Sequence, residues 1–162
     1  MTREEFIAAA TAAAEKSAAA SGLLAGVTVA QAALESSWGR SQLSTRANNY
    51  FGIKAHGDAK SIELPTWECV NGERICIAAR FARYDTMEEC FRERDAIILR
   101  LACYAEARAA VHDAEAFMRA LAKHWATDPK YGDKLLAVWR GLTAQPERPS
   151  VVNLDACSRS TS

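Results

Sequence analysis

The sequence predicts an α+β domain, mostly helical, with one small β-hairpin, and three observations carry that prediction. Apolar residues recur at helical spacing through the N-terminal part and again after about residue 86. Between about Ile62 and Tyr84 the period changes to two, with Ile75, Ile77, Ala79 and Phe81 alternating along one face. Asn71-Gly72 interrupts that stretch, and Asn-Gly is the strongest short-range signal for a two-residue hairpin turn.

The elements follow in order. Thr2 with Glu5 makes a capping box, in which the hydroxyl meets an orphan amide and the carboxylate reaches back, so a first helix runs to about Ser21. Gly22 and Gly26 bracket a break. VTVAQAALESSWG, Val27 to Gly39, then reads as a largely apolar second helix with Val27, Ala30 and Leu34 at helical spacing. Gly39 is a stop, and the polar stretch through Asn49 holds one more short helical turn before YFGIKA. After the hairpin, helices are expected from Thr86 to about Cys103, from Asp113 to about His124 and from Pro129 to about Leu142. The last would carry proline at its first helical position. Residues 1–142 thus form one domain, and residues 143–162, TAQPERPSVVNLDACSRSTS, read as a flexible C-terminal tail rich in proline, serine and charge.

Composition narrows the function classes. The chain has 162 residues, 49% of them apolar and 25% charged, which suits one core without staples. Twenty basic residues balance twenty acidic ones, so neither nucleic acid nor an anionic lipid surface is an expected partner. No apolar run approaches the roughly 20 residues that span a bilayer, so no membrane insertion is expected. Glu4 and Glu5 stand where a signal peptide carries basic charge, so no secretory leader is readable. Cys69, Cys76, Cys90, Cys103 and Cys157 are odd in number and lack CxxC spacing, and reduced thiols are expected. His56, His112 and His124 show no ligand spacing, so neither metal nor cofactor is expected.

Several residues could carry chemistry. Thr28, Gln31 and Glu35 form a narrow polar stripe on the otherwise apolar second helix, and such a stripe is either solvated or lines a cleft. Glu68, three residues before Asn71, should pair with Ile75 and share its face; it is either a carboxylate with a task or a solvated residue on a two-sided flap. Tyr131 lies in the first turn of the last helix, where a phenol packs or points into a groove. Trp38 and Trp67 sit near the two carboxylates, where flat apolar faces suit sugar rings, while Trp125 and Trp139 fit core positions.

Three segments in register, ALESSWG (Ala33 to Gly39), ANNYFGIKA (Ala47 to Ala55) and ATDPKYGDKL (Ala126 to Leu135), resemble the glycoside hydrolase family 73 glucosaminidases, which include flagellar peptidoglycan hydrolases and bacterial autolysins. The resemblance spans nearly the whole domain. It implies a lysozyme-like fold, mostly helical with a small β-hairpin lobe over the substrate groove, and cleavage of the β-1,4 bond after N-acetylglucosamine in peptidoglycan. Carried over by position, Glu35 looks like the general acid, Glu68 the second carboxylate and Tyr131 the cleft tyrosine, while Trp38, Asn49 and Phe51 look like groove or groove-supporting positions. Two departures stand out: Ser37 replaces the glycine of ESGWG, and Trp125 replaces the tyrosine that often precedes ATDP. Neither is expected to touch a reacting atom, and Ser37 either narrows the groove or takes ordinary helical dihedrals.

On this reading Glu35 must stay protonated near neutral pH, as an apolar helix end favours. Glu68 would then activate water, or assist attack by the substrate's own acetamido group. Peptidoglycan glycan strands are the expected partner, the protein is expected to be a monomer, and action on the cell wall would follow delivery by lysis, as for an endolysin, or by a dedicated secretion route. The rival readings are a muramidase or lytic transglycosylase of the lysozyme superfamily, and an inactive saccharide-binding module.

Overall fold

A computed structural model describes residues 1–144, the side chains of Glu68 and Cys69 excepted. The expected tail therefore lies, from residue 145 on, outside the described residues. The order is α1 (Arg3–Ser21), α2 (Ala25–Ser36), α3 (Gln42–Ala47), β1 (Ser61–Val70), β2 (Glu73–Ala82), α4 (Met87–Arg100), a 3-10 turn at Ala102–Tyr104, α5 (Ala105–Ala109), α6 (Ala114–Trp125) and α7 (Tyr131–Thr143). No helix among the described residues is long and apolar enough to cross a membrane.

Capping chemistry sets the boundaries. Thr2 Oγ1 accepts from Glu5 N at 3.1 Å while Thr2 N donates to Glu5 Oε2 at 2.7 Å, closing the expected box. Ser41, Thr86 and Asp113 cap α3, α4 and α6 with their side-chain oxygens, which accept from Ser44 N, Glu89 N and Ala116 N. The last helix departs from expectation: Asp128-Pro129-Lys130 forms a turn, with Asp128 Oδ1 accepting from Lys130 N at 2.9 Å, and α7 begins only at Tyr131. The aspartate thus closes its own turn instead of capping a helix that starts at proline.

α2 is buried almost all round, which explains its apolar character. Val29, Ala32 and Ala33 face a cluster with Phe6, Ala10, Tyr50, Phe51 and Phe91, whereas Val27 and Ala30 face a second cluster with Ile98, Phe117, Leu121 and Leu135. It packs on α1 and α7, while α1 also packs on α4. Its end is abrupt. Ser37, Trp38 and Gly39 all lie in the left-handed region, at φ 52°, 60° and 74°. Ser36 Oγ locks this corner by donating to Ala32 O at 2.6 Å and accepting from Gly39 N at 2.8 Å. Ser37 therefore does not take ordinary helical dihedrals, and the glycine usual at its position has a steric reason.

The hairpin has the expected register, with Trp67 opposite Cys76 and Glu68 opposite Ile75, and a turn in which Asn71 and Gly72 both have positive φ, 51° and 83°. Its base is buried at Leu64, Ala79 and Ala82, but its distal half projects as a lobe: Trp67 is 60% exposed and Ile77 39%. Asn49 staples that base to the helical body. Its Nδ2 donates to Ile53 O at 2.8 Å and to Ala82 O at 2.9 Å, and its Oδ1 accepts from Ile53 N at 3.1 Å. Cys76, Cys90 and Cys103 are free thiols.

Candidate active site

Glu35 is the penultimate residue of α2, which places its carboxyl at the rim of the helical body beside α6 and α7. Its partly buried carboxyl is held above the ordinary glutamate range by loss of hydration. The Tyr131 hydroxyl and the Trp125 indole N–H bear on the same carboxyl and favour its charged form, offsetting part of that rise. Burial and the adjacent Glu35 push the Tyr131 phenol far up, so it keeps its proton across the whole working range.

A cleft of about 920 Å³ is walled by Phe51 and Ile53 of the loop after α3, Tyr84, Ile97 of α4, Tyr104 and Trp125. Trp125 joins the two features, with its ring on the cleft wall and its N–H beside Glu35. The cleft also carries Lys60, Arg83 and Arg100 against the single carboxylate of Glu93, with Lys60 paired to Asp85 at 2.7 Å. Among the described residues, no group of His, Cys, Asp or Glu side chains could hold a metal ion.

The polar stripe on α2 is neither solvated nor cleft-lining over most of its length. Thr28 and Gln31 are fully buried against Arg94 of α4, itself without exposed surface. Arg94 Nε donates to Gln31 Oε1 at 3.0 Å, and Nη1 donates to Thr28 Oγ1 at 2.9 Å and to Asp95 Oδ1 at 2.7 Å. Asp95 in turn accepts from Ser17 Oγ at 2.6 Å and Ser21 Oγ at 2.7 Å. The guanidinium is thereby paired with charge and hydrogen bonds, the condition under which an arginine tolerates burial.

Structure thus brings Glu35, Tyr131 and, through Trp125, Phe51 together. Phe51 contributes to the cleft wall, its ring 5.1 Å from Phe91 and 6.3 Å from Trp125. Two expected binding positions stand elsewhere. Asn49 is buried with both amide hydrogens engaged by backbone, so it supports the groove and has nothing to offer a sugar. Trp38 makes an edge-to-face contact with Phe6 at 6.0 Å, and Arg3 stacks over its ring at 3.9 Å, so the ring is engaged with α1 and does not line the cleft. Trp67 lies on the projecting lobe with Arg74 at 5.0 Å from its ring centroid. Glu68 sits on β1 at the expected register. Trp125 packs against both core clusters, as expected, but it also borders Glu35 and the cleft, where no contact with a reacting group was expected. Its position one residue before the ATDP motif was the available signal.

Fold and site define a class: a helical domain with a hairpin lobe, in which a carboxyl of raised pKa at a helix end is joined through Trp125 to an open cleft. The chain belongs to the glucosaminidase family, glycoside hydrolase family 73, whose description is mannosyl-glycoprotein endo-beta-N-acetylglucosaminidase and which matches residues 11–144. It is similar to the exo-glucosaminidase LytG of Bacillus subtilis, with 34% identity over 121 residues, 72% of this chain and 43% of that protein. It is 37% identical over 143 residues to a probable N-acetylmuramidase of Lactococcus lactis, covering 82% of this chain and 32% of the relative. The chain therefore spans less than half the length of these curated relatives. Among solved structures, a peptidoglycan hydrolase mutant from Sphingomonas sp. A1 superposes with a TM-score of 0.74 at 37% identity, covering 86% of this chain and 94% of that one. The fold is lysozyme-like, as the sequence motifs implied.

Proposed function

We propose that this chain hydrolyses peptidoglycan, cutting the β-1,4 bond between N-acetylglucosamine and N-acetylmuramic acid as an endo-beta-N-acetylglucosaminidase. The observation that carries the proposal is the environment of Glu35, a carboxyl whose pKa burial raises and which Trp125 links to the cleft. A glycosidic oxygen leaves readily only when protonated, and a carboxyl with a raised pKa supplies that proton near neutral pH. Tyr131 sits against Glu35 with its hydroxyl hydrogen intact, ready to steady the carboxylate formed after transfer. Trp125 offers an apolar wall to sugar rings and Trp67 a further one on the lobe, while Phe51, only 3% exposed, backs the cleft wall. Arg83 and Arg100 match the carboxylates that muramic acid and its peptide carry. Glu68, on the movable lobe, is the proposed second carboxylate, acting as base on water or assisting the acetamido group. Asn49 and Trp38 serve by holding the groove's walls in place. The protein acts as a monomer on glycan strands of the cell wall.

A second reading is a muramidase, favoured by the name of the Lactococcus relatives. Digestion of purified walls, borohydride reduction and mass spectrometry decide between them. Reduced glucosamine ends support the proposal. Reduced muramic acid ends overturn it in favour of the muramidase, and walls left intact overturn both.

A further inference from the structure

Three buried polar atoms close to Glu35 lack a hydrogen-bond partner of good geometry: Gln31 Nε2, Arg94 Nη2 and Tyr131 Oη. Buried polar groups are rarely left this way, and here their chemistry leaves one consistent arrangement. Arginine only donates. Because Arg94 Nε holds Gln31 Oε1 at 3.0 Å, the carbonyl end of that amide faces α4 and the NH₂ end faces away. Gln31 lies one turn before Glu35 on α2, and its free end interacts with the Tyr131 hydroxyl. An NH₂ group can only donate, so the phenolic oxygen is the acceptor. The groups that bear on Tyr131 are Glu35, Gln31 and Arg94, and of these Glu35 alone can accept a hydrogen.

We propose that Gln31 and Arg94 are positioning residues, which fix the direction of the Tyr131 hydroxyl so that its hydrogen is always presented to the Glu35 carboxyl. The chain of donors begins in α1, where Ser17 and Ser21 orient Asp95, Asp95 and Thr28 orient Arg94, and Arg94 orients Gln31; Gln31 in turn bears on Tyr131. Its consequence is a carboxylate stabilised at the moment it forms. Without the chain, the phenol is free to accept from the protonated Glu35 instead, which traps the proton that a leaving group needs. Burial raises the Glu35 titration and the tyrosine hydrogen bond partly restores it, in the sense this direction requires. The groups facing Glu35 from other helices are Tyr131 of α7 and Trp125 of α6, and Arg94 with Asp95 of α4 stands behind Gln31.

This role rests on Glu35 being the proton donor of the proposed hydrolase, but its test does not need activity. The Glu35 carboxyl is titrated by ¹³C NMR in the full chain, its signal assigned by loss in Glu35→Gln, for the wild type, Gln31→Met, Tyr131→Phe and the double variant. Gln31→Met and Tyr131→Phe should each raise the Glu35 pKa by about one unit, the worth of one hydrogen bond to a charged group, and the double variant should rise no further. Additive shifts, or no shift in Gln31→Met, overturn the proposal. If Gln31→Met fails to fold, Gln31→Glu keeps the size and the Arg94 partner but turns the donor into an acceptor. Its effect on Glu35 should then be larger with Tyr131 present than in the Tyr131→Phe background, and an equal effect in both overturns the proposal. Intact walls after wild-type treatment would remove the proposed function while leaving the titration result standing.

Discussion

Replacing Glu35 by Gln should make the protein at once inactive and more stable, and the stability gain should depend on pH in a way the structure fixes. Gln has the size of Glu and keeps hydrogen-bonding capacity toward Tyr131 and Trp125, so packing changes little. Loss of a positioned general acid is expected to lower turnover roughly 10²–10⁴-fold. The stability effect follows from linkage. Glu35 titrates above the ordinary glutamate value in the folded chain, so between that value and its folded pKa the native state binds more protons than the unfolded one. Wild-type stability therefore falls as pH rises through this window and is level on either side. Glutamine does not titrate, so the difference between variant and wild type should be constant below about pH 4. It should then grow by about 1.4 kcal/mol for each pH unit that separates the folded pKa from the unfolded one. Above the folded pKa it should be constant again. Urea denaturation at pH 4, 6 and 8 measures it through the midpoint, with an unchanged m-value required for the comparison. A difference independent of pH, or one that shrinks on going from pH 4 to 8, would refute the claim that burial dominates this carboxyl.

Three further substitutions test the corner and the cleft wall. Ser37→Gly relieves a left-handed residue at the end of α2 and should stabilise by about 0.5–1 kcal/mol, read as a rise in thermal midpoint. Gly39→Ala should do the opposite by about 2–4 kcal/mol, because its φ is 74° and a methyl there would stand 2.8 Å from Phe6 Cδ2. Trp125→Phe removes the indole N–H beside Glu35 while keeping an aromatic wall. The Glu35 titration and the alkaline limb of the pH–activity profile should both move to higher pH, and an unmoved limb would separate Trp125 from the acid.

How much of this was legible in the sequence depended on how local the cause is. The hairpin register followed from Asn71-Gly72 and the alternation of Ile75, Ile77, Ala79 and Phe81, because turn geometry and pleat are set within a few residues. The α1 cap was legible for the same reason. α5 was not, since Ala105–Ala109 is too short to show a period. Arg94 left no signal: it lies in the charged run of FRERDAI, where arginines normally face water, and only the packing of α4 on α1, with its guanidinium reaching Thr28 and Gln31 of α2, buries it. Its partner stripe of Thr28 and Gln31 was visible, but whether it met water, a cleft or a buried cation depended on a residue more than sixty positions away. Trp125 was legible as a core aromatic, but not that its indole N–H reaches Glu35, since that contact joins the end of α6 to the end of α2, some ninety positions apart.

The abrupt end of α2 connects these findings. A helix that ran one turn further would carry Glu35 into its interior, but here Ser36 closes the helix and three left-handed residues turn the chain away. Glu35 is thus in the last turn, where the unsatisfied carbonyls of the helix present partial negative charge and disfavour a carboxylate. Burial pushes the same way, and the two donors Tyr131 and Trp125 push back. The proton-donor role proposed for Glu35 needs this balance: with repulsion alone the proton would never leave, and with donors alone it would be gone at neutral pH. Ser37, in a conformation that glycine adopts freely, is strained at the residue next but one to that carboxyl. If the strain serves only as tolerance, Ser37→Gly gains stability and leaves the Glu35 titration where it was; if the corner helps to aim the carboxyl, the same relaxation moves that titration as well.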